Sequence, residues 1–465
     1  MQETIPIRGK KILILGLGLH GGGGATARWL ARHGASLLVS DLKKRSVLAS
    51  SLKSLSRYRG IRYRLGAHHL KDIEWADYVV ANPGVPRESH MLEHARSLGK
   101  PIYNEATLFF NRCKSPIVAV TGTRGKSTTA AFIAAILSRK DPNTVLAGNI
   151  KTSFMLDVVD RISSDTMVVL ELSSWQLEGL DIIKAAPDVA VVTNLYPDHL
   201  NRYKTLAGYY CAKKEIWKHQ KNSHYLVLNN EDAVLRDWQK EACSRTVLFG
   251  RRDHRAQGSY ISKGWFWSRN GKKSLRIAPV SANALLGEHN VSNVLAAIAA
   301  ARLLGARSSD IAFALKHPPK LSGREEVVRT MNGIIYVNDT TATTPVAGIA
   351  ALKRFGSARK KKIILIAGGA DKKLDYGDWA GEVRKYCSSV YLLSGDASAK
   401  QAKALGSYRH ITKNHTDLRA LVHEIAAQDL RKGDVVLFSP AAASFNLWSH
   451  EFERGDAFVS AVGEL

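Results

Sequence analysis

The segment Thr121-Gly-Thr-Arg-Gly-Lys-Ser-Thr128 brings together two glycines, a lysine and adjacent hydroxyls. Such a string can wrap phosphate oxygens with successive backbone N–H groups, bring an ammonium to the terminal phosphates and offer a hydroxyl to Mg²⁺. Gly122, Thr123, Arg124 and Gly125 form the candidate cradle, Lys126 its cation, and Ser127 or Thr128 the metal-facing hydroxyl. Only Thr-Arg-Gly separates Gly122 from Lys126, a tighter spacing than the generic phosphate loop. Further along, Glu171-Leu-Ser-Ser-Trp-Gln-Leu177 supplies a carboxylate that can hold Mg²⁺, and Asn194-Leu-Tyr-Pro-Asp-His199 supplies an imidazole. Tyr209-Tyr-Cys-Ala-Lys-Lys-Glu-Ile216 carries two adjacent lysines, Lys213 and Lys214, and Gly287-Glu-His-Asn-Val-Ser-Asn293 carries two asparagines at the start of an expected helix. Taken singly, Glu171 reads as a surface carboxylate, His199 as a loop histidine and Lys213 as an exposed helical lysine. A phosphate loop ahead of them makes phosphoryl transfer one reading of the set.

These residues need strand ends to hold them. Ile117 to Val120 reads as a buried strand running into the phosphate loop, followed by a helix to about Leu137. Met167 to Leu170 and Val189 to Thr193 read as strands, each ending in polar residues, and a helix is expected from Asn290 to about Leu304. Before this region, Lys11 to Leu15 leads into Gly16-Leu-Gly-Leu-His-Gly21, with further strands at Ser36 to Ser40 and Tyr78 to Ala81. After His317-Pro-Pro-Lys320 the pattern resets, with strands at Ile334 to Val337, Ile363 to Ala367, Val390 to Leu393 and Val435 to Phe438. Alternating strands and helices predict an α/β chain with parallel, doubly wound sheets. Three domains are expected: a Rossmann-like N-terminal domain over 1–114, a central P-loop ATPase-type domain over 115–317 and a Rossmann-like C-terminal domain over 318–465.

Bulk properties narrow the field. The 465 residues suffice for several cores, and no apolar run approaches the roughly 20 residues needed to cross a bilayer. The N-terminus lacks a signal-peptide layout, which predicts a cytoplasmic protein. Cys113, Cys211, Cys243 and Cys387 are scattered, so neither a zinc site nor a disulfide framework is indicated. The net charge of +26 raises nucleic-acid binding as a reading from another class. Its Lys and Arg residues are dispersed, however, with no aromatic-interleaved RNA-binding motif. The glycine turn with Asp41 also suggests a dinucleotide-binding dehydrogenase, which leaves the second nucleotide loop unexplained.

The string Val120-Thr-Gly-Thr-Arg-Gly-Lys-Ser-Thr-Thr129 resembles the ATP loop of the Mur ligases, cytoplasmic enzymes of peptidoglycan precursor assembly, and is shared with folylpolyglutamate synthases. The resemblance implies an ADP-forming amide ligase working through an acyl-phosphate, with ATP and two Mg²⁺ ions. It implies that Lys213, in a YxxAKxxI pattern, is carbamylated and serves as a metal ligand. Ser127, Glu171 and His199 complete the implied metal set, and Lys126, His199 and Lys213 the catalytic set. Asn290 and Asn293 would contact the nucleotide, as would Arg324 of Leu321-Ser-Gly-Arg324 and Asp339.

Within the family, the first-domain turn, Glu171-Leu-Ser-Ser-Trp-Gln-Leu177 and Asn82-Pro-Gly-Val-Pro86 look most like members that join D-glutamate to UDP-N-acetylmuramoyl-L-alanine. That likeness assigns Gly18, Leu19, His20, Asp41, Lys43 and Asn82 to the UDP end and Asn149 to the muramyl end. It assigns Lys372, Ser444 and Phe445 to the glutamate, and a monomer is expected. The chain departs from the pattern at Lys151, where relatives usually have Gly, and at Thr341, where a lysine often contributes. An alanine replaces the usual Cys within Ser439-Pro-Ala-Ala-Ala-Ser444, and Gly21 to Gly24 is an unusually glycine-rich run that should be flexible. Ligases taking L-glutamate, other Mur ligases and folylpolyglutamate synthases are the alternatives.

Overall fold

The apolar runs fall where parallel strands must be covered on both faces. In the computed structural model, which describes residues 3–150, 153–198, 200–285, 288–356, 363–444, 447–448 and 450–465, the chain divides into two compact units, Met1–Pro319 and Lys320–Leu465.

The first unit opens with β1 (Lys11–Leu15), β2 (Ser36–Asp41), β3 (Arg62–Leu65), β4 (Tyr78–Ala81) and β5 (Ile102–Tyr103), arranged as β3-β2-β1-β4-β5. All the pairings are parallel. Ile12 and Ile14 enter one apolar cluster while Leu13 and Leu15 enter another, the two-residue alternation of a strand covered on both faces. The chain leaves β1 and β4 toward opposite sides of the sheet, so a crevice lies beyond their carboxyl ends, where open α/β sheets take ligands.

A second sheet comes after the helix Glu105–Arg112. Its strands are β6 (Ile117–Thr121), β7 (Val145–Gly148), β8 (Val168–Glu171), β9 (Val189–Val192), β10 (Tyr225–Asn229), β11 (Arg245–Gly250), β12 (Gly258–Ser262), β13 (Trp265–Asn270) and β14 (Lys273–Pro279). Their order is β14-β13-β12-β11-β10-β9-β6-β8-β7. From β7 to β12 the pairings are parallel, whereas β12, β13 and β14 form an antiparallel meander. The turns explain the switch. Lys263 and Gly264 both have positive φ (48° and 74°), as a two-residue hairpin turn requires, and Gly271 (φ 55°) opens the next.

One apolar cluster runs from Ile5 through Trp29 and Phe109 to Leu170, Leu226 and Trp238, so the first two sheets share a core. Polar contacts add to it. The Arg28 guanidinium donates to both oxygens of Asp157 (3.1 and 2.8 Å), Trp29 Nε1 to Asp160 (2.9 Å), and Asn104 Nδ2 to the carbonyl of Gln176 (3.0 Å).

The second unit holds β15 (Glu326–Met331), β16 (Ile334–Asn338), β17 (Ile363–Gly368), β18 (Cys387–Leu393), β19 (Ile411–His415) and β20 (Val435–Phe438), ordered β15-β16-β20-β17-β18-β19. Among these strands only β15 pairs antiparallel, through a turn in which Asn332 and Gly333 both have positive φ. Ile363, Leu365 and Ala367 face one core, Ile364 and Ile366 the other.

Candidate active site

The phosphate loop leaves β6 at Thr121 and enters the helix Lys126–Lys140. Gly122 (φ 143°) and Gly125 (φ 78°) occupy backbone conformations that side chains avoid. Space excludes larger residues too. A Cβ on Gly122 would lie 2.0 Å from Thr193 Oγ1, and one on Gly125 would lie 2.1 Å from Asn293 Oδ1. The register explains the crowding: Val120 pairs with Glu171 of β8, and Thr121 with Val192 of β9, so three strand ends converge. Asn194 closes the loop, its Oδ1 accepting the Arg124 N–H (2.9 Å) and its Nδ2 donating to the Arg124 carbonyl (3.1 Å). From the other side, Asn293 Nδ2 donates to Asn290 Oδ1 (3.2 Å) on the helix Glu288–Leu303.

Lys126 Nζ donates to the Thr123 carbonyl at 3.0 Å. Ser127 and Thr128 lie in the first turn of the same helix, both buried. Glu171, at the end of β8, is 2 % exposed, and its Oε2 is buried without a hydrogen-bond partner among the described residues. A buried carboxylate oxygen left unpaired is costly unless a cation meets it, so the donor set fits Mg²⁺.

Lys213 lies in the helix Leu206–Lys214 and is 1 % exposed. Its Nζ donates to the Gly122 carbonyl at 2.8 Å and sits 4.7 Å from the Tyr209 ring centroid. Burial, and then the Lys126 charge, hold its amine well below the usual lysine range, with Asp198 opposing. The Tyr209 hydroxyl reaches Thr123 Oγ1 at 3.2 Å, so the Lys213 helix is tied to the phosphate loop twice. Gly122, Lys126, Glu171, Lys213 and Asn293 thus converge. His199, placed by sequence among the metal ligands, lies outside the described residues. Another ligand-type group, Asp181, Glu215 and His219, sits apart, and the Lys218 ammonium already pairs with Asp181 (2.8 Å) and Glu215 (3.2 Å).

Around the crevice of the first sheet, Asn82 packs on the glycine turn, and a Cβ on Gly16 would lie 3.0 Å from its Cβ. Asp41 is 4 % exposed and turned inward. Its Oδ2 accepts from the Leu17 (2.8 Å) and Gly18 (2.9 Å) N–H groups and its Oδ1 from Lys43 (2.8 Å). Asp41 therefore braces the turn, while Leu19 is half-buried and the side chains of His20 and Lys43 are exposed. The glycine run is held in place: Gly22 opens the helix Gly22–Arg32, and a Cβ on Gly23 would meet the Leu17 carbonyl oxygen at 2.2 Å. Exposed Asn149 donates its N–H to the Glu171 carbonyl at 2.9 Å, linking the segment assigned by sequence to the muramyl end with the end of β8.

Sequence reasoning missed Glu105, which lines this crevice beside Gly22 and Gly23. It is 5 % exposed, its Oε1 has no partner among the described residues, and burial pushes its carboxyl up to about 8. Its position at the first turn of a helix, inside an apolar stretch, was the available signal.

In the second unit, buried Asp339 accepts from the Glu325 N–H (3.2 Å) and from Ser439 Oγ (2.7 Å). Burial, reinforced by Glu325, pushes it up to about 8, with the Arg324 charge among the opposing influences. Lys372 Nζ donates to Thr343 Oγ1 at 3.0 Å, and Thr341 Oγ1 donates to the Gly323 carbonyl at 2.9 Å. Ser444 is 1 % exposed, and its Oγ has no partner among the described residues. Phe445 lies outside the described residues. Sequence reasoning also passed over Arg454, which is fully buried and donates to Thr340 Oγ1 (3.2 Å) and to the carbonyls of Thr340 (2.8 Å) and Ala442 (3.1 Å). It joins the loops carrying Asp339 and Ser444, and nothing in its local sequence marks it.

Comparison with known proteins accords with this geometry. The Mur ligase MurD-like N-terminal domain matches residues 10–104, the Mur ligase middle domain 120–301 and the Mur ligase glutamate ligase domain 323–442. A UDP-N-acetylmuramoylalanine--D-glutamate ligase from Roseiflexus sp. is 39% identical over 471 residues, covering 98% of this chain and 99% of its own. The enzyme of that name from Pelotomaculum thermopropionicum is 34% identical, covering 98% of each chain. In fold, the chain is similar to UDP-N-acetylmuramate-alanine ligase from Thermotoga maritima, with a TM-score of 0.64, 21% identity and coverage of 98% of this chain and 99% of that one. Given relatives above 30% identity along almost the whole length, and three family domains in the expected order, the chain belongs to the Mur ligase family.

Proposed function

We propose that this chain is an ATP-dependent ligase that joins D-glutamate to UDP-N-acetylmuramoyl-L-alanine, releasing ADP and phosphate in the cytoplasmic stage of peptidoglycan precursor assembly. The observation that carries the reading is the convergence of Lys126, Glu171 and Lys213 on one phosphate loop, in a chain whose relatives bear that activity over their full length. Residues 1–114 would take the UDP substrate, 115–317 the ATP and 318–465 the amino acid, with the chain acting as a monomer.

A carboxylate is a poor electrophile, so the terminal phosphoryl group of ATP passes first to the alanine carboxylate. The P–O bond to ADP breaks as the new one forms, giving an acyl-phosphate. The glutamate amine then attacks the acyl carbon, and phosphate leaves as the amide forms and the nitrogen loses its proton. Two Mg²⁺ ions held by Ser127, Glu171, His199 and a carbamylated Lys213 would neutralise charge on the phosphoryl group. The loop N–H groups and Lys126 orient and stabilise the same group. Asn290, Asn293, Arg324 and Asp339 would hold the nucleotide, and Gly18, Leu19, His20, Lys43, Asn82 and Asn149 the UDP substrate, with Asp41 bracing the turn. Lys372, Ser444 and Phe445 would hold the glutamate.

ADP release measured with each substrate omitted in turn tests the reading. Release should require UDP-N-acetylmuramoyl-L-alanine and D-glutamate together, and L-glutamate should not replace the D-form. Release with L-glutamate or a folate acceptor instead would transfer the chain to another branch of the family. Lys126→Ala should lower kcat by about 10²-fold or more, through loss of the main protein cation on the phosphoryl group.

A further inference from the structure

Arg202 stands where three parts of the first unit meet. It comes shortly after the Asp198–His199 stretch in sequence, yet its guanidinium turns toward the crevice of the first sheet. Nη1 donates to the Pro83 carbonyl at 2.9 Å and Nη2 to the Val85 carbonyl at 3.3 Å, both in the turn after β4. Nη2 also pairs with Glu178 Oε2 at 3.3 Å, and the guanidinium carbon lies 4.6 Å from the Trp175 ring centroid. Glu178 and Trp175 belong to the segment just beyond the metal-facing Glu171. The side chains of Arg202 and Glu178 are only 11% and 8% exposed, so solvent screens the pair little.

The contacts continue inward. Tyr203 donates its hydroxyl to Glu178 Oε1 at 2.7 Å, and its ring centroid lies 5.5 Å from that of Tyr209. Tyr209 in turn reaches Thr123 of the phosphate loop and faces Lys213. A continuous path of packed and hydrogen-bonded groups therefore joins the turn at Pro83 and Val85 to the phosphate loop. A planar fork of five donors can meet two carbonyls and a carboxylate at once, which a lysine ammonium on a flexible stem cannot do in the same geometry.

We propose that Arg202 is a positioning residue that couples occupancy of the first-sheet crevice by a nucleoside-diphosphate substrate to the affinity of the phosphate loop for Mg²⁺–ATP. Such coupling is reciprocal: if the UDP substrate tightens ATP binding, ATP tightens UDP-substrate binding by the same factor. The inference rests on the substrate reading above, and its test separates the two.

The dissociation constant of UDP-N-acetylmuramoyl-L-alanine is measured on the full-length protein by calorimetry, with and without a non-hydrolysable ATP analogue and Mg²⁺. The wild type should show tightening of about tenfold, within the usual coupling range. In Arg202→Gln the factor should fall to about one, while the analogue measured alone keeps its affinity within about twofold. Arg202→Ala should regain part of the coupling with millimolar guanidinium and none with ammonium, as a planar fork requires, and the unchanged affinity for the analogue alone separates lost coupling from general disruption. If Arg202→Gln fails to fold, Tyr203→Phe, which removes the hydroxyl that bonds Glu178 and Ser174 but keeps the ring, should still lower the factor. Undiminished coupling in the folded variants, or its absence in a wild type that binds both ligands, overturns the proposal. A wild type that does not bind the UDP compound at all overturns the substrate reading instead.

Discussion

The Nζ of Lys213 lies 2.8 Å from the carbonyl oxygen of Gly122, so the buried amine touches the loop that would bind phosphate. Burial and the neighbouring Lys126 charge favour the uncharged amine, whose lone pair can attack carbon dioxide. Carbamylation would form an N–C bond, release a proton and leave an anionic carbamate where a lysine cation would repel Mg²⁺. Lys213→Ala should lower kcat by about 10²-fold or more. Acetate or formate should restore part of that activity. Carbon-13 NMR after equilibration with labelled bicarbonate should show a carbamate signal in the wild type and none in the variant. Wild-type turnover in Lys213→Ala would remove this residue from the mechanism.

Gly125→Ala tests how closely the loop is packed. The new methyl would lie 2.1 Å from Asn293 Oδ1, at a φ of 78°. The KM for ATP should rise by about tenfold, equivalent to about 1.4 kcal/mol. Steady-state kinetics on Gly125→Ala with Asn293→Ala should show less than the sum of the two single losses, because the clash disappears with the asparagine.

Glu105 predicts a particular pH dependence of stability. Its pKa rises from 4.5 to about 8 on folding, so the folded state holds the proton more tightly. Stability from this group is therefore greatest below the unfolded value and declines as the pH rises toward about 8, where the folded carboxyl ionises. Glu105→Gln, which keeps the shape without the titration, should flatten the fall in Tm between about pH 5 and about pH 8. The gain at the upper end should be about 1 kcal/mol or more, since one pKa unit corresponds to about 1.4 kcal/mol. Calorimetric melts across that range check it, with buried Asp339 leaving a residual slope of the same sign.

Ser444→Ala should separate binding from stability. The hydroxyl is buried and bonds to nothing among the described residues, so its loss removes no internal hydrogen bond there. The Tm should stay within about one degree, while the KM for glutamate rises by about tenfold, the worth of about one hydrogen bond. An unchanged KM would take Ser444 out of the amino-acid site.

The residues that converge at the phosphate loop were more legible than the supports around them. The phosphate loop, Glu171 and Lys213 lie within short strings at strand ends, where residue type and register act locally. The parallel strands were legible because burial on both faces gives continuous apolar runs such as Ile363 to Ala367. The β12–β14 meander was not read, although Lys263-Gly264 and Asn270-Gly271 were turn signals within reach. Glu105, Arg202 and Arg454 were missed for another reason. Each acts through partners remote in sequence: Met155, Leu156 and Gln176 for the first, Pro83 and Val85 for the second, Thr340 and Ala442 for the third. No local pattern encodes such meetings.

Asp41 is an acidic residue spent on its own chain. An acid at this position in a dinucleotide-binding turn usually senses a ribose hydroxyl, and so separates ribose from its 2′-phosphorylated form. Here three backbone N–H groups already hold the carboxylate. Whatever Asp41 offers a sugar, it offers with a carboxylate already committed to the backbone, so replacing it would loosen the turn as well as alter the contact, and engineering a new nucleotide preference would better begin at its neighbours.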